Sequence, residues 1–218
     1  MTDPAVVPGT GVVSPKRISH VDKFEKRRGE LADATLVTLG ELGYARTSLR
    51  EIAQKTEFTH GLLHYYFADK VELITFGVRR YKEKCVRRYD DAIAPATTPE
   101  ELAEAFAGAM AATLVGEAPM HRLWYDLRTQ SMFEEALRDT VIDLDRQLEA
   151  MIWRVVLAYS ELVGRAPVVT EFGAYTRFDG LFENCLVRYC AGDEAIPETL
   201  RTQARELLAT TVARADDS

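Results

Sequence analysis

From Phe24 onward, apolar residues return at intervals of three and four and alternating β-branched runs are absent, so the chain reads as helical throughout. Leu31, Thr35, Thr38, Leu39 and Leu42 mark one face of a first helix that stops at Gly43. Ser48 and Glu51 form a capping box, hydroxyl and carboxylate each satisfying the other's backbone donor, and start a second helix whose inward face is Leu49, Ile52 and Ala53. The period breaks over Thr56-Glu57-Phe58-Thr59. A third helix then runs from His60 to about Phe67, and Asp69 with Glu72 caps a long fourth. Thr98, Pro99, Glu100 and Glu101 make a further helix start. Helices are expected near 99–115, 119–131, 134–163, 168–191 and 197–213. The expected fold class is all-α: an N-terminal three-helix, helix-turn-helix unit and a larger helical domain.

Residues 1–15 hold three prolines and two glycines without periodicity and read as an arm. The expected division is an arm over 1–20, a helix-turn-helix domain over 21–76 and a second domain over 77–218. Overall charge opposes nucleic-acid binding, with 27 Lys+Arg against 34 Asp+Glu and a net charge of −7. That average conceals a division. Residues 16–89 carry 16 Lys+Arg and 10 Asp+Glu, residues 90–218 carry 11 Arg and 23 Asp+Glu, and no lysine follows Lys84. A basic N-terminal third on an acidic body suits a nucleic-acid-binding module joined to a regulatory one, although charge alone equally describes a solvated run.

With 47% hydrophobic residues the chain can build a packed interior, and no apolar run approaches the ~18 residues of a membrane span, so no membrane partner is expected. The N-terminus lacks a signal-peptide pattern, which predicts a cytoplasmic location. Cys85, Cys185 and Cys190 are too few for a disulfide framework and are expected as small buried apolar residues.

Two short helices with a tight break, behind a longer supporting helix, form a helix-turn-helix pattern whose second helix enters the major groove. Setting Leu63, Tyr66 and Phe67 inward leaves Thr59, His60, Leu62, His64 and Tyr65 outward or to the sides, a set suited to base edges and phosphates. An ordinary helical hairpin with aromatic packing would share the spacing.

The run TSLREIAQKTEFTHGLLHYYFADKVEL, residues 47–73, resembles the signature of TetR-family (tetracycline-repressor-like) transcriptional regulators, matching at Thr47, Ile52, Ala53, Gly61, Leu63, Tyr66, Phe67, Lys70 and Leu73. Upstream, Leu31, Ala34, Leu36, Leu39, Gly43 and Tyr44 fit the family's first helix, and the stretch from Trp124 to Trp153 resembles the C-terminal domain of the BetI-like subgroup. Two positions depart from the pattern. Glu57 stands where the family prefers a left-handed glycine, implying strain of about 1–2 kcal/mol or a different turn. His64 replaces a tyrosine that contacts phosphate, so DNA binding is expected to tighten modestly below about pH 6.5.

The resemblance implies a ligand-responsive repressor that binds double-stranded DNA at a palindromic operator as a homodimer, paired through its last two helices, and is released by a small-molecule effector. Thr59, His60, Leu62 and Tyr65 become groove-facing positions and Gly61 a point of close approach. Thr47, Ser48 and Lys70 become phosphate contacts at helix starts, beside His64. Lys16, Arg17, Lys23, Lys26, Arg27 and Arg28 form a basic approach to the first helix, as an arm on DNA or as a solvated flank. In the acidic domain, Trp124, Tyr125, Arg128, Arg177, Phe178 and Phe182 are the expected ligand-binding residues, with Met132 and Phe172 on the same helices; aromatic residues at this spacing also describe plain core. Arg128 and Arg177, if buried, need a counter-charge such as Asp126, Asp179 or a ligand carboxylate.

Other chemistry finds little support. His60 and His64 have the i, i+4 spacing of a helical zinc site, but a glycine takes the place of the glutamate base and no third ligand is evident, so no metal is expected. No nucleophile elbow, P-loop or dinucleotide fingerprint occurs, so no catalytic residues and no cofactor are expected. Asp143 with Arg146 and Glu134 with Arg138 read as intrahelical ion pairs. The competing reading is a helical small-molecule-binding protein whose DNA binding is weakened or lost, motivated by Glu57 and His64.

Overall fold

The computed structural model describes residues 20–213, which form ten helices and no strand beyond one isolated bridge between Pro167 and Val212. The arm expected over 1–20, with Lys16 and Arg17, lies almost wholly outside these residues.

Local chemistry sets most boundaries. Helix α1 (His20–Leu42) ends where Gly43 turns left-handed, at φ 78°. Helix α2 (Leu49–Lys55) starts on Ser48, whose hydroxyl accepts from the Glu51 N–H at 3.2 Å, and α3 (His60–Tyr66) starts on Thr59, which accepts from the Leu62 N–H at 3.2 Å. Helix α4 (Lys70–Cys85) begins on Asp69, which accepts from the Glu72 N–H at 2.8 Å, while the Glu72 carboxylate reaches back to the Ala68 N–H at 2.7 Å. The long fourth helix expected from sequence is interrupted at Val86-Arg87, and α5 (Arg88–Ile93) follows. No glycine or proline marks that break. Arg154, far along the chain, holds it by donating to the Val86 carbonyl at 2.6 Å and to Asp90.

The remaining helices lie close to their predicted ranges: α6 (Pro99–Gly116), α7 (Ala118–Ser131), α8 (Glu135–Val163), α9 (Glu171–Cys190) and α10 (Ile196–Ala209). Thr98 caps α6 as expected, and Gly164 closes α8 with φ 71°. Helix α10 packs on α6 and α9, α8 packs on α9, and α1 packs on both α4 and α7. One continuous apolar core runs from Leu31, Ile52, Leu63 and Phe67 in the trihelical unit to Phe106, Phe178 and Leu200 in the larger body.

The junction between these parts is polar and specific. Gly40 lets α1 approach Pro119 of α7, where an added Cβ would stand 3.0 Å from the proline backbone. Arg122 donates to the Gly40 carbonyl at 2.9 Å, and Asp126 accepts from the Tyr44 N–H at 2.6 Å. The buried Tyr44 hydroxyl donates to Glu134. Glu134 is thus spent on Tyr44 rather than on Arg138, which donates to the Ser131 carbonyl; neither intrahelical pair expected on α8 is among the ion pairs of the described residues. Cys85 and Cys185 are buried as expected, but Cys190 is exposed, because it is the last residue of α9 and faces solvent.

Candidate nucleic-acid interface and internal cavity

Helix α3 sits on the trihelical core through Leu63, fully buried, and Phe67, which is 1% exposed. Tyr66 is half-buried with its ring 4.7 Å from that of Phe24. The opposite face carries Thr59, His60, Gly61, His64 and Tyr65, all exposed, with Tyr65 at 68%. Open space surrounds Gly61 where a Cβ would stand. The rings of His60 and His64 meet edge-on at 4.4 Å. Leu62 is half-buried against the core, at the side of this face. Exposed donors, acceptors and rings on a short helix can read a groove.

Several sequence-based assignments change. Thr47 is buried and donates to the Gly43 carbonyl, so its hydroxyl steadies the α1–α2 turn and does not face a phosphate. Lys70 is half-buried, 3.8 Å above the Tyr44 ring, and donates to the Tyr44 carbonyl at 3.1 Å; it joins α4 to the end of α1. Arg28 packs between the rings of Phe67 and Phe76 and pairs with Glu72, which clamps α1 to α4. Ser48 stays exposed at the α2 start. Glu57 takes no left-handed conformation, since no described non-glycine residue has positive φ, and the turn adopts another geometry. Two exposed cations escaped sequence reasoning: Arg46 and Arg50 flank Ser48 and form no ion pair among the described residues. Their signal was basic residues on either side of a helix start.

A second feature lies between α4, α5, α6, α7, α8 and α9: a cavity of about 70 Å³. Trp124, Tyr125, Phe178 and Phe182, four of the six candidate ligand residues, line it together with Lys82, His121, Tyr175 and Asp179 and the apolar chains of Met110, Leu148 and Ile152. Arg128 stands behind this wall, donating to Asp179 at 2.6 Å and lying 3.6 Å from Asp145. Asp179 also accepts from the Tyr125 hydroxyl at 3.1 Å, and Asp145 from that of Tyr175 at 2.6 Å. Arg177 is not part of the site: helical rotation places it on the exposed side of α9. Phe172 and Met132 are likewise exposed, at 68% and 71%.

One polar residue of the cavity, Lys82, was not singled out from the sequence. Lys82, 4% exposed on α4, holds its ammonium 4.7 Å from the Trp124 ring centroid. Burial pulls its pKa down to about 8. His121 is pulled down to about 3, first by burial and then by the charges of Lys82 and Arg88, so its ring is neutral. Its Nε2 and the Trp124 Nε1 are buried without a hydrogen-bond partner. Arg88, by contrast, is matched by Glu117 at 2.8 and 2.9 Å. The signal for Lys82 was a lysine in register with buried Ile74, Val78 and Cys85, inside an apolar stripe.

The capped trihelical unit and its open α3 face define a helix-turn-helix protein. Residues 31–75 match the family described as "Bacterial regulatory proteins, tetR family". The N-terminal unit is thus similar to that family, and the chain as a whole shares the fold of solved TetR-family proteins. The HTH-type transcriptional regulator BetI of Paraburkholderia phymatum is 30% identical over 115 residues, which are 52% of this chain and 59% of that protein. The HTH-type transcriptional regulator PksA of Bacillus subtilis is 34% identical over 87 residues, 40% of each chain. BetI of Brucella melitensis is 27% identical over 172 residues, 78% of this chain and 82% of that one. The match thus spans 59% and 40% of the first two relatives' lengths. Among solved structures, a TetR-family regulator from Agrobacterium tumefaciens superposes with a TM-score of 0.70 at 17% identity, covering 87% of this chain and 100% of that one. FadR from Bacillus subtilis, in complex with stearoyl-CoA, gives 0.68 at 15%, covering 84% and 98%. Among the described residues, no helix is long and apolar enough to cross a membrane.

Proposed function

We propose that the chain is a ligand-responsive transcriptional repressor that binds a palindromic operator as a homodimer and is released by a small-molecule effector held in the cavity. The observation that carries this reading is α4. Its capped start holds Tyr44 at the end of α1, its Phe76 ring stands 5.8 Å from that of Phe67 at the C-cap of α3, and its last turn brings Lys82 and Cys85 into the cavity wall. Any ligand that displaces that turn also moves the seat of the recognition helix. Asp126, on the same helix as Trp124 and Tyr125, adds a second link through the Tyr44 N–H.

Two copies would set their α3 helices about 34 Å apart, one turn of duplex. The exposed Phe172 and Val187 on α9 offer apolar surface for pairing through the last two helices. Thr59, His60, Gly61, Leu62, His64 and Tyr65 meet the groove, while Ser48, Arg46 and Arg50 meet the backbone. FadR carries stearoyl-CoA; a cavity of about 70 Å³ suits a far smaller body in this chain.

Selection of the purified protein against a random duplex pool, at moderate and at high salt, tests the proposal. A palindrome with half-sites one turn apart, lost on His60→Ala or Tyr65→Ala, is the expected result. Enrichment of no sequence refutes it, and leaves a helical ligand-binding protein without an operator.

A further inference from the structure

We propose that the cavity takes a small anion: a carboxylate on a compact apolar body, its oxygens held by the Lys82 ammonium and the Trp124 indole N–H. This rests on the reading of the cavity as the effector site.

The argument is one of unspent polar capacity. Arg88 is neutralised by Glu117, and Arg128 by Asp179 and Asp145. Of the three tyrosines in the wall, Tyr125 and Tyr175 already donate their hydroxyls to those aspartates. Lys82 alone among these cations has no carboxylate within ion-pair distance among the described residues, although it is 4% exposed. A buried ammonium without a counter-charge is costly, and proteins retain one where a ligand supplies the charge. The Trp124 N–H is a second buried donor without an acceptor, on a side chain only 3% exposed.

The geometry also discriminates between ligand classes. A cationic ligand would meet the like charge of the Lys82 ammonium, which stands over the Trp124 ring in the wall. A neutral ligand would leave the ammonium uncompensated. A long chain exceeds the space. His121 Nε2, on a neutral ring, is a further acceptor without a partner and suits a hydroxyl on the same ligand. Because Lys82 belongs to α4, the anion would draw directly on the helix that carries the DNA-binding unit.

The chain has two tryptophans, so Trp153→Phe leaves Trp124 as the sole indole reporter in the full-length protein. Its emission and the melting temperature are followed with acetate, glycolate and propionate, then with propionamide and propylammonium as matched neutral and cationic probes. The carboxylates are expected to shift Trp124 emission and raise the melting temperature, binding at least about tenfold more tightly than the amide or ammonium. Lys82→Met should abolish that preference and Lys82→Arg retain it, with helicity checked by circular dichroism in each. Amide or ammonium binding as tight as carboxylate, or carboxylate binding unchanged in Lys82→Met, overturns the anion and leaves the cavity as an effector site. A Trp124 signal that no probe moves overturns both.

Discussion

Replacing Lys82 by methionine should make the protein more stable at neutral pH, an unusual outcome for a change at a buried position. The side chain is 4% exposed, and its pKa falls from 10.5 to about 8, chiefly through burial. At 1.36 kcal/mol per unit, keeping this ammonium charged costs the native state about 3 kcal/mol. The cost is fully present below pH 8, where native and unfolded chains are both protonated. Between pH 8 and 10.5 the native state loses its proton first, the unfolded state binds more protons, and stability rises with pH. Methionine has similar length, no charge, and a sulfur that packs well on the Trp124 ring. The variant should therefore exceed the wild type by about 3 kcal/mol at pH 7, and the gap should close by about pH 10.5. Urea denaturation of both proteins at several pH values measures this, and titrating groups they share cancel in the difference. A variant no more stable than the wild type at pH 7, or a gap constant from pH 8 to 10.5, would refute the reasoning.

Three further outcomes are expected. Asp126→Ala strands the buried Tyr44 N–H and should lower stability by about 2 kcal/mol in urea denaturation, whereas Asp126→Asn keeps an acceptor and should cost about half as much. His121→Gln removes a group held neutral down to about pH 3; the wild type should lose stability relative to this variant as pH falls from 6.5 towards 3, followed by thermal melts in that range. Leu63→Ala empties a fully buried site beneath the α3 face and should cost about 2–5 kcal/mol in the same denaturation assay, with operator affinity falling as α3 loses its seat.

What sequence revealed follows from the range of each interaction. The caps at Ser48, Asp69 and Thr98 join residues three apart, so spacing alone discloses them. The inward set Leu63, Tyr66 and Phe67 is legible for the same reason. Residues whose role depends on a distant partner were misjudged. Thr47 turns back on Gly43, Arg28 is taken by Phe67, Phe76 and Glu72, and Lys70 is taken by Tyr44. Nothing in the local pattern separates a lysine aimed at phosphate from one aimed at a ring 26 residues away in sequence. In the larger domain, aromatic spacing pointed to Trp124, Tyr125, Phe178 and Phe182, but a single residue step, about 100° of helical rotation, separates Phe178 in the wall from Arg177 in solvent. The break at Val86-Arg87 is held by Arg154, from a helix some 60 residues on, and so left no local mark.

The central claim is that the cavity and the α3 face are energetically linked through α4, and operator binding with and without a bound carboxylate measures that link directly. Fluorescence anisotropy of a selected operator duplex, titrated with protein at fixed salt, should show affinity falling about 5- to 150-fold when the cavity is filled, a coupling of about 1–3 kcal/mol. The same addition should leave Lys82→Met unmoved. Operator affinity that stays flat while Trp124 reports a filled cavity would contradict the account.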